Sequence, residues 1–225
     1  MRSELKARSS TPFFEGHGQL FVRQRKELAE ILIDWETRNQ YDVMDANEKP
    51  LGTISERAGG MIRRFLLRSH RGFQIRVTDS DGELVLELTR SFFFLFSDLD
   101  VIAPDGRALG SVHRRFGVLY KRYDLRDASG NTFARVKSPR WRLWTFPVVS
   151  ERGTGDAVIT KRWGGVLRET FADADTFLID YENSSWSDDE RTVIFAAAIS
   201  IDFDFFENNQ GSDGVLGLLG RRSES

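Results

Sequence analysis

SDDERTVIFAAAISIDFDFF, Ser187 to Phe206, is the stretch whose reading decides the fold. Ser187 with Glu190 three residues on forms a capping box, and Asp188 and Asp189 suit the positive end of a helix dipole. The spacing predicts a helix over about 187–206 that is apolar almost all round. Such a helix has no face for water and must be buried in a bilayer or in protein. A spanning helix needs about 20 predominantly apolar residues, whereas the unbroken run here is only Val193 to Ile199. Asp202 and Asp204 follow inside the same apolar stretch, and a charge at the centre of a membrane helix costs about 2.5–3.5 kcal/mol on insertion scales. Length in ångströms does not arbitrate, since about 29 Å of helix suits a bilayer and the axis of a small barrel equally. The acids do, and they predict a protein interior.

The middle of the chain supplies that interior. Tyr41 to Asp45 runs through a turn and returns through Leu51 and Ile54. Phe73 to Asp79 turns at Ser80-Asp81-Gly82 and returns through Leu84, Leu86 and Leu88. Leu99 to Val101 turns at Pro104-Asp105-Gly106 and returns through Leu109 and Val112. Tyr123 to Asp127 turns at Ser129-Gly130 and returns through Phe133 and Val136. A looser fifth copy rises through Trp144, Phe146 and Val148 and comes back through Ala157 and Ile159. Alternating apolar and polar residues around Asp-Gly or Ser-Gly are the strongest short-range hairpin signal. Five such units require at least ten strands, and flanking strands are predicted at Leu20–Gln24 and Thr176–Tyr181. A sheet of that size curls or closes, and about eight strands already complete a packed barrel interior. A wider barrel needs a filling, which the terminal helix provides. The fold class is therefore mainly β, a closed antiparallel barrel of about twelve strands around a C-terminal hydrophobic helix. The barrel domain is predicted over 19–207, with a disordered lead at 1–18 and a disordered tail at 208–225.

Composition agrees. A chain of 225 residues with 40% hydrophobic content can bury one full core. The absence of cysteine excludes disulfide frameworks, thiolate metal sites and cysteine nucleophiles, and it suits a reducing compartment. No signal-peptide apolar core occurs in Met1 to Gly18. The net charge of −2 hides a division: residues 1–172 hold 29 Lys or Arg against 22 Asp or Glu, while residues 173–207 hold 1 against 10. That asymmetry reads either as a basic surface for an anionic partner or as two regions that neutralise each other on packing.

Three separated motifs carry a resemblance. They are Trp35-Glu-Thr-Arg-Asn-Gln-Tyr41-Asp-Val43, then Ile159-Thr-Lys-Arg-Trp163-Gly-Gly-Val-Leu167-Arg-Glu-Thr-Phe171-Ala-Asp173-Ala-Asp175-Thr-Phe177, and Ile201-Asp202-Phe203-Asp204-Phe205-Phe206-Glu207. In this order and spacing, over roughly Leu20 to Glu207, the chain resembles the phospholipid scramblase family within the Tubby-like and LURP-one-related barrels. The resemblance is to a bacterial type without the Pro-rich N-terminus and the cysteine cluster. It implies a twelve-stranded barrel around a C-terminal helix, calcium-stimulated phospholipid movement in eukaryotic members, and phosphoinositide binding in Tubby-like relatives. It also assigns a calcium site to the acidic segment, which here would use Asp173, Asp175, the carbonyl of Phe177 and Asp180, since hard cations want several oxygens. The sequence departs from the pattern at Leu178, at Tyr181-Glu182 and at Ser184.

Candidate lipid contacts are the basic doublets Arg63-Arg64, Arg114-Arg115, Lys121-Arg122 and Lys161-Arg162, each cation worth about 1 kcal/mol near an anionic surface. Phe93 and Leu95 join them, because strand alternation sets them opposite Phe92, Phe94 and Phe96. The bland alternatives are solvated strand edges and packing beneath a loop. Enzyme chemistry is not expected: there is no Gly-x-Ser-x-Gly elbow, phosphate-binding loop or His-Glu-x-x-His, and His17, His70 and His113 are scattered. The basic surplus is too dispersed for a nucleic-acid stripe. The expected function is scramblase-like binding of anionic phospholipid or phosphoinositide, peripheral at the cytoplasmic face of a membrane, with transbilayer lipid movement. The alternative is a structural or regulatory barrel that binds a protein partner or an apolar ligand.

Overall fold

The computed structural model describes residues 13–24, 40–56, 73–90, 98–117, 119–139, 141–142, 144–162, 176–181 and 185–205. Twelve strands close into one antiparallel barrel: β1 (Gln19–Gln24), β2 (Gln40–Met44), β3 (Pro50–Glu56), β4 (Phe73–Asp79), β5 (Leu84–Arg90), β6 (Asp98–Ile102), β7 (Ala108–Arg115), β8 (Tyr120–Asp127), β9 (Thr132–Pro139), β10 (Thr145–Ser150), β11 (Asp156–Arg162) and β12 (Thr176–Asp180). Each strand pairs with its neighbours in sequence, and β1 closes the ring against β12 from Gln19↔Asp180 to Arg23↔Thr176. Helix α1 (Asp188–Phe205) has 18 residues, about 27 Å of rise.

The helix is buried because the barrel surrounds it. Val193, Ile194, Phe195, Ala196, Ala197, Ala198 and Ile201 are all buried among the inward residues of the strands. It packs chiefly on β7 and β8, and less on β6 and β12. Gly110 allows that approach, because a Cβ there would sit 2.8 Å from Val193 Cγ2 and 2.2 Å from the Arg126 carbonyl oxygen. Among the described residues no helix is long and apolar enough to cross a membrane.

Five hairpin turns lie at the rim where α1 begins; the four between β2 and β9 are alike, and three of these use one device. Asp45 Oδ1 accepts from the amides of Asn47 and Lys49, Asp79 Oδ1 from Asp81 and Glu83, and Asp127 Oδ1 from Ser129 and Asn131. The fourth turn starts at Ala103 and borrows Asp105 for the Arg107 amide. Each of the four passes through one left-handed residue, Glu48, Gly82, Gly106 or Gly130, which is why glycine recurs there. A register shift follows each of these four turns, with one extra residue, Leu51, Val85, Leu109 or Phe133, on β3, β5, β7 and β9.

The same rim anchors the helix. Glu190 N donates to Ser187 Oγ at 3.3 Å and Ser187 N to Glu190 Oε2 at 3.0 Å, completing the predicted capping box. Arg107 reaches Asp189 at 2.9 Å, and Arg152 reaches Glu190 at 3.2 Å and also pairs with Asp127. Part of the acidic segment is thus neutralised by the basic barrel. Phe13 and Phe14, assigned from the sequence to a disordered lead, are instead core residues. Phe14 is fully buried and meets Phe195 edge-on with ring centres 5.1 Å apart, so the packed structure begins before residue 19. The predicted tail at 208–225 lies outside the described residues.

Gly110→Ala forces backbone and helix apart, and we expect a loss of about 1–3 kcal/mol, read as a lower urea midpoint at unchanged slope. At Asp127, partial burial pushes the carboxyl up, but the Arg152 guanidinium and the Asn131 and Ser129 amides outweigh it and hold it below its ordinary value. A depressed carboxyl contributes stability above its unfolded value, near 3.8, and loses it as pH falls through the folded value. The melting-temperature gap between wild type and Asp127→Asn should therefore be full at pH 7 and close below about pH 4.

Candidate functional site: a cationic face and an aromatic rim

In a strand, adjacent side chains face opposite sides, and this splits the basic doublets. On β8, Lys121 shares the inward parity of Tyr123 and Leu125 and is buried, with Nζ 4.9 Å from the centre of the Phe146 ring. Arg122 points outward. On β11, Lys161 is buried and its Nζ lies 3.3 Å from Asp202 Oδ1, while Tyr41 Oη donates to Asp202 Oδ2 at 2.8 Å. This lumenal network holds the last turns of α1. Lys121 and Lys161 are thereby removed from the lipid-contact set. Arg114 takes the inward parity of Val112 and is half-buried, whereas Arg115 is exposed. The side chain of Arg162, together with Arg63, Arg64, Phe93 and Leu95, lies outside the described residues.

What remains outside converges. Register pairs Arg115 with Arg122 and Arg122 with Lys137, so three cations stand directly opposite one another across β7, β8 and β9. The adjoining row brings Arg135 beside Asp124. Arg115 Nε lies 2.6 Å and Arg135 Nε 3.4 Å from the buried Asp124 carboxylate, and Arg135 also reaches Glu151 at 3.0 Å. Among the described residues neither Arg122 nor Lys137 has an acidic partner; both lie over the Tyr120 ring, at 5.6 and 4.7 Å. Arg115, Arg122, Asp124, Arg135, Val136 and Lys137 line an open groove of about 360 Å³. Like charges directly opposite one another destabilise a sheet, so this row is not explained by folding.

At the rim where α1 ends, the groove meets an apolar edge. The β7–β8 and β9–β10 connections lie side by side there, since Tyr120 pairs with Pro139. They expose Phe116 (68%), Leu119 (63%), Trp141 (72%) and Trp144 (37%). Trp141 lies 6.3 Å from Tyr120, centre to centre. Amphipathic aromatic rings beside Lys and Arg are the composition of a membrane–water interface. Sequence reasoning missed Arg135, Lys137, Phe116, Leu119 and Trp141 as members of one surface. The available signals were the two tryptophans within one short connection and the register implied by the Ser129-Gly130 turn.

Of the calcium set, Phe177 and Asp180 are described, both on β12. They stand three residues apart, about 10 Å along a strand. Phe177 is buried with its ring 5.2 Å from Lys161 Nζ, and Asp180 accepts from Gln19 Nε2 at 3.0 Å. Asp173 and Asp175 lie outside the described residues, and no group of three His, Asp or Glu able to hold a metal occurs within them.

The scramblase family model matches residues 5–208. The chain belongs to the scramblase family. Relatives of the family include altered inheritance rate of mitochondria protein 25 of Saccharomyces cerevisiae, 24% identical over 87% of this chain and 72% of that protein. A phospholipid scramblase family protein of Schizosaccharomyces pombe is 25% identical over 88% of this chain and 62% of its own length. Human phospholipid scramblase 2 is 24% identical over 85% and 68%. The chain thus spans about two thirds of the length of these relatives. No solved structure matches it.

If the cationic row is kept at the expense of stability, removing one member should stabilise the fold. Arg122→Gln is expected to raise the unfolding free energy by about 0.2–1 kcal/mol, measured as a higher urea midpoint at low salt.

Proposed function

We propose that this protein is a scramblase-like, membrane-associated lipid-binding barrel that docks on anionic phospholipid through the β7–β10 surface and moves phospholipid between leaflets. The observation that carries the reading is the junction of the Arg115–Arg122–Lys137 row with the exposed rim of Phe116, Leu119, Trp141 and Trp144. Cations near an anionic leaflet contribute about 1 kcal/mol each, and the aromatic edge adds apolar insertion at headgroup depth. Membership of a family whose relatives bear the name phospholipid scramblase supports the same reading. Such proteins relocate lipids without making or breaking covalent bonds, so no catalytic residue is assigned. The cytoplasmic face is the proposed location because anionic lipids give that leaflet its negative surface potential.

Co-sedimentation with phosphatidylserine-containing vesicles, against pure phosphatidylcholine, tests the docking. We expect binding only to the anionic vesicles, weakened at high salt. Removing one charge by Arg122→Gln should weaken it about fivefold, the equivalent of about 1 kcal/mol. Trp141→Ala should weaken it without altering the salt dependence. Absence of binding at low salt to any anionic vesicle overturns the reading. Dithionite quenching of a fluorescent lipid in reconstituted vesicles, with and without calcium, tests the lipid movement.

A further inference from the structure

The groove carries a more specific assignment than attraction to negative lipid. Four cations line it or its edge, Arg115, Arg122, Arg135 and Lys137, against two carboxylates, Asp124 beneath and Glu151 beside Arg135. The excess of two positive charges sits on one strip three strands wide, about 10 Å across at the spacing of neighbouring strands. Asp124, only 4% exposed, grips the Nε atoms of Arg115 and Arg135. That contact holds both guanidinium groups at the groove wall. An arginine held by its Nε still has its terminal nitrogens as further donors, in a fork that matches phosphate oxygens, although at Arg135 Nη1 already donates to Glu151.

A phosphodiester headgroup brings one phosphate charge, and in phosphatidylserine the carboxylate and the ammonium cancel beyond it. A terminal phosphate ester brings close to two charges once its second proton is lost, near pH 6, and three acceptor oxygens. We propose that the β7–β9 groove is a binding site for a dianionic phosphomonoester, with Arg122 and Lys137 as its principal ligands and Arg115 and Arg135 as the flanking pair oriented by Asp124. This rests on the docking reading above and names the ligand class of that surface. Two sources share the chemistry: a lipid whose headgroup ends in a phosphomonoester, and a small soluble phosphate ester. The position of the groove beside Trp141 and Phe116, at the rim that meets the membrane, favours the lipid.

The test uses the full chain and phosphatidylcholine vesicles carrying either phosphatidic acid or phosphatidylserine, matched in surface charge by zeta potential. Phosphatidic acid should be bound at least tenfold more tightly at pH 7.5. The preference should shrink at pH 5.5, where the second proton returns. Lys137→Gln and Arg122→Gln should reduce phosphatidic acid binding to the phosphatidylserine level. Urea midpoints no lower than wild type would exclude misfolding as the cause. Equal binding to both charge-matched vesicles overturns the phosphomonoester site while leaving the docking reading intact; failure to bind either overturns the docking reading itself. A phosphatidic acid preference that survives both substitutions overturns the placement in this groove. Titration with glycerol phosphate in the absence of vesicles separates the sources. Binding there that is lost in Lys137→Gln supports the site and assigns it to a soluble ester. Absence of such binding, together with the vesicle preference, assigns it to the lipid.

Discussion

The structure depends on filling the lumen of a barrel too wide to pack on its own side chains. Twelve strands leave room for one helix, and α1 fills it with a run of residues that would be insoluble anywhere else in a water-facing molecule. Barrel and helix are each unfinished alone: an unfilled barrel leaves a void against its inward residues, and the helix lacks a polar face. Their mutual burial removes Val193, Ile194, Phe195 and Ile201 from water while satisfying the inward residues of the strands. The run Ala196-Ala197-Ala198 and the missing side chain at Gly110 set how closely the two can approach.

Both ends of the helix are tied, by different chemistry. At its start, the capping box and the pairs to Arg107 and Arg152 link it to exposed turns. At its end, Asp202 is buried between Lys161 and Tyr41. A buried ion pair of this kind adds little net stability over an apolar substitute, but removing one partner strands a charge. It therefore defines one seating of the helix more than it strengthens it. A helix held in this way is committed to the barrel interior, so the docking we propose uses the outer wall and the rim. Those are the places where the charge and aromatic features unexplained by folding are found.

Most of the barrel was legible in sequence because hairpins announce themselves locally. The Asp and Gly of each turn, with alternation on either side, located the strands, and Ser187 with Glu190 located the helix start. Phe13 and Phe14 were not legible, since two aromatic residues after a polar lead carry no periodicity; only the mouth of the barrel gives them a place. The candidate face was half legible. Reading basic doublets as units overlooked that a strand sends neighbours to opposite sides, so Lys121 and Lys161 went inside while Arg122 went out.

The sequence by itself determined the number and order of strands, the capped helix, and the need for each to bury the other. These follow from local backbone preferences and from the period of apolar residues. It also contained every cation of the β7–β9 face, but not their company. Arg115, Arg122 and Lys137 become neighbours only because antiparallel register sets them opposite one another, and Asp124 joins Arg115 to Arg135 only across two strand boundaries. Which charges share a surface is a property of pairing between segments, and the electrostatic interactions that act over a few ångströms are decided there.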